Sequence, residues 1–102
     1  MEKSINFIGL KELGDDEQER VKDMTTKYYE KFIRTLKETT SFSVHVKEYK
    51  KEGGNTKYSI HVRINVPGKI LEVEKADWDL ARTLHKVFDA MENEIDHHIN
   101  SQ

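Results

Sequence analysis

Apolar side chains recur along this chain in two rhythms, and the switches between them outline a fold. Between residues 16 and 39, Val21, Met24, Tyr28, Phe32 and Leu36 fall at steps of three and four, with Tyr29 and Ile33 widening the stripe. That spacing places one apolar face along an α-helix. Asp16 followed by Glu19 has the spacing of a capping box at its start. Thr39, Thr40 and Ser41 are poor helix formers and end it. From Phe42 the period drops to two. Phe42, Val44 and Val46 share one face, and Ser43, His45 and Lys47 share the other. A charged turn through Gly53 and Gly54 leads to Tyr58, Ile60, Val62, Ile64 and Val66, which alternate with Lys57, Ser59, His61, Arg63 and Asn65. Pro67-Gly68 is a second turn signal, and Leu71 with Val73 marks a third strand of the meander.

Both ends of the chain complete the pattern. Residues 4–10 read as a short strand with Ile5 and Phe7 on one face. At the other end Trp78, Ala81, Leu84, Val87, Phe88, Met91, Ile95 and Ile99 make a helical stripe, with Asp77 as its expected cap. A helix from 78 to 99 would run about 33 Å, enough to cross a sheet. The expected class is therefore α+β with the order β-α-β-β-β-α. A four-stranded sheet would carry both helices on one face, as in a double-stranded-RNA-binding domain, because neither apolar stripe can be left in water. Trp78, Phe88 and Tyr28 read as core on this pattern, and Tyr49 falls on a polar strand face.

Length and composition narrow the classes. A chain of 102 residues is one domain's worth. It has no cysteine, which removes disulfides, thiolate nucleophiles and thiolate metal sites and fits a reducing compartment. No apolar run is long enough for a signal-peptide core or a bilayer span. Net charge is -2, but it is unevenly spread. Residues 1–41 carry 8 basic and 9 acidic side chains, residues 42–76 carry 7 and 4, and residues 77–102 carry 2 and 6. A phosphate-binding surface would have to be local.

Enzyme signals are weak. Gly53-Gly54 is followed by Asn-Thr and reads as a turn, not a phosphate loop. Glu72 and Glu74 read as solvated strand charges, and His97-His98 as surface residues near the chain end. His45 and His61 could become neighbours on the polar sheet face, but two histidines with no third ligand make a thin metal site. Ser41, Ser43 and Ser59 have no organised base beside them in the sequence. The cations say more. Arg20, Lys27, Lys31 and Arg34 keep to one side of the first helix. Lys47, Lys57 and Arg63 share the open side of the sheet with the two histidines. Either set reads as ordinary solvation or as a rail for phosphates whose binding would fall steeply with salt.

The element order, the opening Ile5-Asn6-Phe7-Ile8-Gly9 and the run from Leu71 to Ala81 into the last helix carry a family resemblance. The chain resembles, over nearly its whole length, the short ribosome hibernation-promoting and ribosome-associated inhibitor proteins, also called sigma-54 modulation or S30EA-like proteins. Asp79 stands at the family's aspartate, Leu84 at its isoleucine, and Met91, Glu92 and Ile95 at its Leu, Glu and Leu. Ala81 replaces a usual tyrosine, and Arg82 and Thr83 replace two alanines. Ala90 and Asn93 replace a lysine and an arginine, so two basic positions are empty. Arg82 and Lys86, one turn apart, compensate in part.

The resemblance implies a cytoplasmic, non-enzymatic factor that occupies the decoding region of the small ribosomal subunit, against ribosomal RNA, and inhibits translation or stabilises idle ribosomes under stress. It implies no cofactor, no metal, no small-molecule substrate and no membrane. A monomeric short form is expected, without the C-terminal dimerising domain of longer relatives. The nine candidate RNA contacts are Arg20, Lys27, Lys31, Arg34, Arg82, Lys86, Lys47, Lys57 and Arg63. The alternative is a protein-binding module acting through the acidic last helix, with Asp89, Glu92, Glu94 and Asp96.

Overall fold

The computed structural model describes residues 5–39, 41–51 and 53–100. Strand β1 (Ile5–Ile8) leads through a 3-10 turn (Leu10–Glu12) into helix α1 (Asp15–Leu36). Strands β2 (Ser41–Lys50), β3 (Thr56–Val66) and β4 (Lys69–Asp77) follow, then helix α2 (Leu80–Asn100). The expected β-α-β-β-β-α order is borne out. The sheet order is β1-β2-β3-β4, with β1 parallel to β2 and the other pairs antiparallel. Parallel neighbours need a long crossover, which α1 supplies, whereas tight turns suffice for the meander.

Strand alternation decides which sheet face is covered. Phe42, Val44, Val46, Ile60, Val62, Ile64, Val66 and Leu71 are buried on one side. Both helices close over them. Tyr29 meets Phe42 edge-on with ring centroids 5.2 Å apart, and Phe32 bridges towards Phe42 and Phe88. From α2, Leu84, Val87, Phe88, Met91 and Ile95 complete the core. Tyr28 stacks on Phe88 at 4.7 Å and ties the two helices together. The opposite sheet face stays bare, as expected of a half-buried meander.

Element ends differ from the sequence expectation in four places. The first strand stops at Ile8, because Gly9 turns the chain at φ 85 into the 3-10 turn. A Cβ there would run into the Val46 carbonyl oxygen, so only glycine fits. Helix α1 starts one residue before Asp16: Gly14 is its cap, and the Glu17 carboxylate accepts the Gly14 N–H at 3.2 Å in place of the expected Asp16–Glu19 box. The helix ends at Leu36, ahead of Thr39, where Lys37 takes φ 66 and donates its N–H to the Ile33 carbonyl. Ser4, Thr40 and Glu52 lie outside the described residues.

The fourth correction matters most for function. Helix α2 is capped by Asp79, whose carboxylate accepts the Arg82 N–H at 2.9 Å, and Asp77 belongs to β4. Trp78 is therefore excluded from the helical stripe. Its ring is 48% exposed instead of being core. Ile99, at the far end of the same stripe, is also exposed. No helix among the described residues is long and apolar enough to cross a membrane.

Candidate nucleic-acid interface

The nine candidate cations do not form one rail. They are divided among three surfaces by the fold. Arg20, Lys27 and Lys31 line an open groove between α1 and α2, together with Asp16, Glu19, Asp23, Met24, Tyr28 and His85. Three cations there face three carboxylates. Lys31 is further engaged across the groove, where its Nζ donates to Glu92 Oε2 at 2.7 Å. That hydrogen bond raises the Lys31 pKa. Arg34 lies further along α1, exposed, with its Nε donating to the Glu30 carbonyl one turn back. Three of the four cations of the sequence stripe meet in this groove, and their pairing with acids is a tertiary property that spacing does not show.

The second surface is the corner where β4 passes into α2. Asp77 accepts from Arg82 Nη2 at 2.9 Å through one oxygen and from Lys86 Nζ at 2.5 Å through the other. It also accepts the Trp78 N–H at 2.6 Å. The Arg82 and Lys86 hydrogen bonds, the two strongest causes, hold the Asp77 carboxyl well below the usual carboxylate range. The same pairing with Asp77 raises the Arg82 pKa. Both cations remain at least half exposed on the solvent side. Asp77 thus fixes Arg82 and Lys86 while leaving them open to an incoming anion.

The third surface is the bare sheet face. Lys47 and Arg63 are exposed and Lys57 is half-buried. His45 and His61 are direct cross-strand partners, as the alternation predicted. His61 Nε2 lies 2.9 Å from Glu72 Oε1. No group of three or more His, Cys, Asp or Glu that could hold a metal ion occurs among the described residues. Glu72 and Glu74 sit in β4 opposite Arg63 and His61. His97 and His98 fall in the last turn of α2.

At one end of this face lies a feature that spacing hid. The ammonium groups of Lys51 and Lys57 stand 5.3 and 5.7 Å from the centroid of the exposed Trp78 ring. Tyr49, 49% exposed, is the cross-strand partner of Lys57. Lys51 and Trp78 were absent from the candidate set. The signal that could have found Trp78 is the pair Asp77 and Asp79 around it: with the cap placed at Asp79, the tryptophan falls outside the helix.

The architecture is that of a small α+β domain whose two helices share one sheet face and leave the other bare. A family model described as "Sigma 54 modulation protein / S30EA ribosomal protein" matches residues 5–101, and the chain belongs to that family. The family is one of ribosome-associated modulation factors, which bears out the resemblance drawn from Ile5–Gly9 and the entry into α2. Among solved structures, the crystal structure of the Thermus thermophilus Protein Y N-terminal domain superposes with a TM-score of 0.63 at 17% identity. The match covers 96% of this chain and 99% of that one, and establishes the shared fold. No curated protein sequence matches the chain.

Proposed function

We propose that this protein binds the small ribosomal subunit at its decoding region, against ribosomal RNA, and inhibits translation or stabilises idle ribosomes under stress. Action is by steric occupation in the cytoplasm, with no bond made or broken. The observation that carries this reading is membership of the S30EA family over residues 5–101. The charge arrangement supports it. The cations best placed for phosphate are those without a tight carboxylate partner or with an exposed outer side. These are Lys47, Lys57 and Arg63 on the bare face and Arg82 and Lys86 at the corner, ahead of Arg20 and Lys27, which share the groove with Asp16, Glu19 and Asp23. Lys31 and Arg34 are weaker candidates, since one holds Glu92 and the other its own helix backbone.

Cosedimentation of the purified chain with small subunits across a salt series tests the proposal. Binding near one to one is expected, weakening steeply as salt rises because each phosphate contact releases counterions. Absence of binding even at low salt would overturn it. Binding indifferent to salt would favour the protein-partner alternative, through the exposed Asp89 and Asp96 of α2.

A further inference from the structure

We infer that Trp78 and Tyr49, with Lys51 and Lys57, form a stacking platform for unpaired bases of single-stranded RNA. The inference rests on the RNA-facing reading above and names the contact it would use. Exposed aromatics scattered singly call for no explanation. These are not scattered. Tyr49 pairs with Lys57 in the sheet register, and Tyr58, the next residue of β3, pairs with Asp77, so Trp78 stands next in line beside Lys57. Two aromatic side chains, each about half exposed, therefore flank one lysine across three strands, and a second lysine reaches the Trp78 ring from the turn.

The backbone under the tryptophan is held. Its N–H donates to Asp77, and Asp77 is in turn clamped by Arg82 and Lys86. The carboxylates on either side of Trp78 are thus both engaged, Asp77 by the two cations and Asp79 by the α2 N-terminus. What remains at this surface among the described residues is aromatic and positive. A ligand matching it needs a flat π-face and a negative charge within a side chain's reach of it. An unpaired nucleotide has both. A base pair within an A-form duplex hides its faces in the stack and offers only phosphate and sugar. Exposed lysine–aromatic contacts are weaker than base–aromatic stacking, so a base can displace an ammonium from the ring while that ammonium takes the phosphate.

Trp78 is the only tryptophan of the chain, so its fluorescence reports this site alone. The protein would be titrated with an unstructured oligoribonucleotide, with a duplex of matched length and with an acidic peptide. Cosedimentation of wild type, Trp78→Ala and Trp78→Phe with small subunits would run in parallel. We expect quenching by the single strand alone, a loss of about tenfold or more in its affinity for Trp78→Ala, and substantial recovery in Trp78→Phe. Unchanged melting of Trp78→Ala would show that the fold is intact. If wild type binds subunits but no quenching occurs, or Trp78→Ala binds the oligonucleotide as wild type does, the platform is overturned and the ribosome reading stands. If the single strand quenches but subunits are not bound, the platform stands and that reading falls. Equal quenching by duplex or acidic peptide would overturn the platform.

Discussion

The groove between the helices and the corner at the end of the bare sheet face both concentrate lysine and arginine, yet they are built to opposite ends. In the groove, Arg20, Lys27 and Lys31 are set against Asp16, Glu19 and Asp23, and Lys31 also holds Glu92 of α2. Beneath it, Tyr28 lies flat on Phe88 and Phe32 packs against both rings. One ion pair there, Lys31 with Glu92, joins helix to helix over a packed aromatic floor. At the corner, Lys51 and Lys57 gather on an exposed indole, and Asp77 and Asp79 on either side of it are already occupied. A count of cations along the chain treats the two regions alike. Only the position of the carboxylates separates a surface that holds the fold together from one that is free to meet an anion.

The sharpest way to break this comparison is to cut the aromatic contact in each region. Phe88 is fully buried, so Phe88→Ala should lose about 3–5 kcal/mol of stability, read by denaturant or thermal unfolding. Trp78→Ala should stay within about 0.5 kcal/mol, as surface changes usually do. A Trp78 variant that melts like the Phe88 variant would mean the corner is structural after all.

Charge reversal comes next. Lys51→Glu combined with Lys57→Glu should weaken RNA binding at low salt and flatten the log–log salt dependence. If each lysine makes one single-strand phosphate contact, the slope should fall by about 1.4, at roughly 0.7 per contact. Arg20→Glu combined with Lys27→Glu should change the slope less, because carboxylates already oppose those cations in the groove. The reverse ranking, measured by binding titrations at several salt concentrations, would return the interface to α1.

The fold was legible because its signals are local. Alternation at Phe42, Val44 and Val46 and again from Tyr58 to Val66 fixed the faces of two central strands, and both stand with their apolar sides buried as read. The helix stripes were found for the same reason, although α1 turns Thr25 and Tyr29 fully inward and leaves Met24 and Tyr28 at its margin. Trp78 was misplaced because the three-residue steps 78, 81 and 84 continue the α2 period through a residue that precedes the cap. Periodicity cannot see a cap, and of the two aspartates beside Trp78 it is Asp79 whose carboxylate takes the Arg82 N–H. The candidate cations were harder still. Whether Lys31 is free depends on Glu92, 61 residues away.

A smaller effect should appear in alkali. Tyr58, the β3 neighbour of Lys57, donates its hydroxyl to Glu17 Oε2 at 2.6 Å, and that bond, followed by burial, pushes its pKa up to about 12. The unfolded chain would ionise near the ordinary 10, so the stabilisation is complete below pH 10 and is lost as pH rises through about 12. Tyr58→Phe should flatten the stability profile over that window. It should leave binding at neutral pH unchanged, since the bond ties β3 to the start of α1 and not to the exposed corner.

The smallest expected effect lies on the buried side of α1. Thr25 is fully buried in α1, and its hydroxyl has no hydrogen-bond partner among the described residues. Leaving such a group unpaired costs about 1–3 kcal/mol relative to an apolar group of the same shape. Valine keeps the β-branch and removes the orphan oxygen. Thr25→Val should therefore gain about 1 kcal/mol, the low end of the range, because the two β-branched residues differ little in helix propensity and the site relaxes only partly around the added methyl. Denaturant midpoints with an unchanged slope would measure it. RNA binding should not move, because the substitution touches the packed side of α1 alone. A loss of stability would instead mean that the hydroxyl is satisfied in solution, and that this side of α1 is less dry than its burial implies.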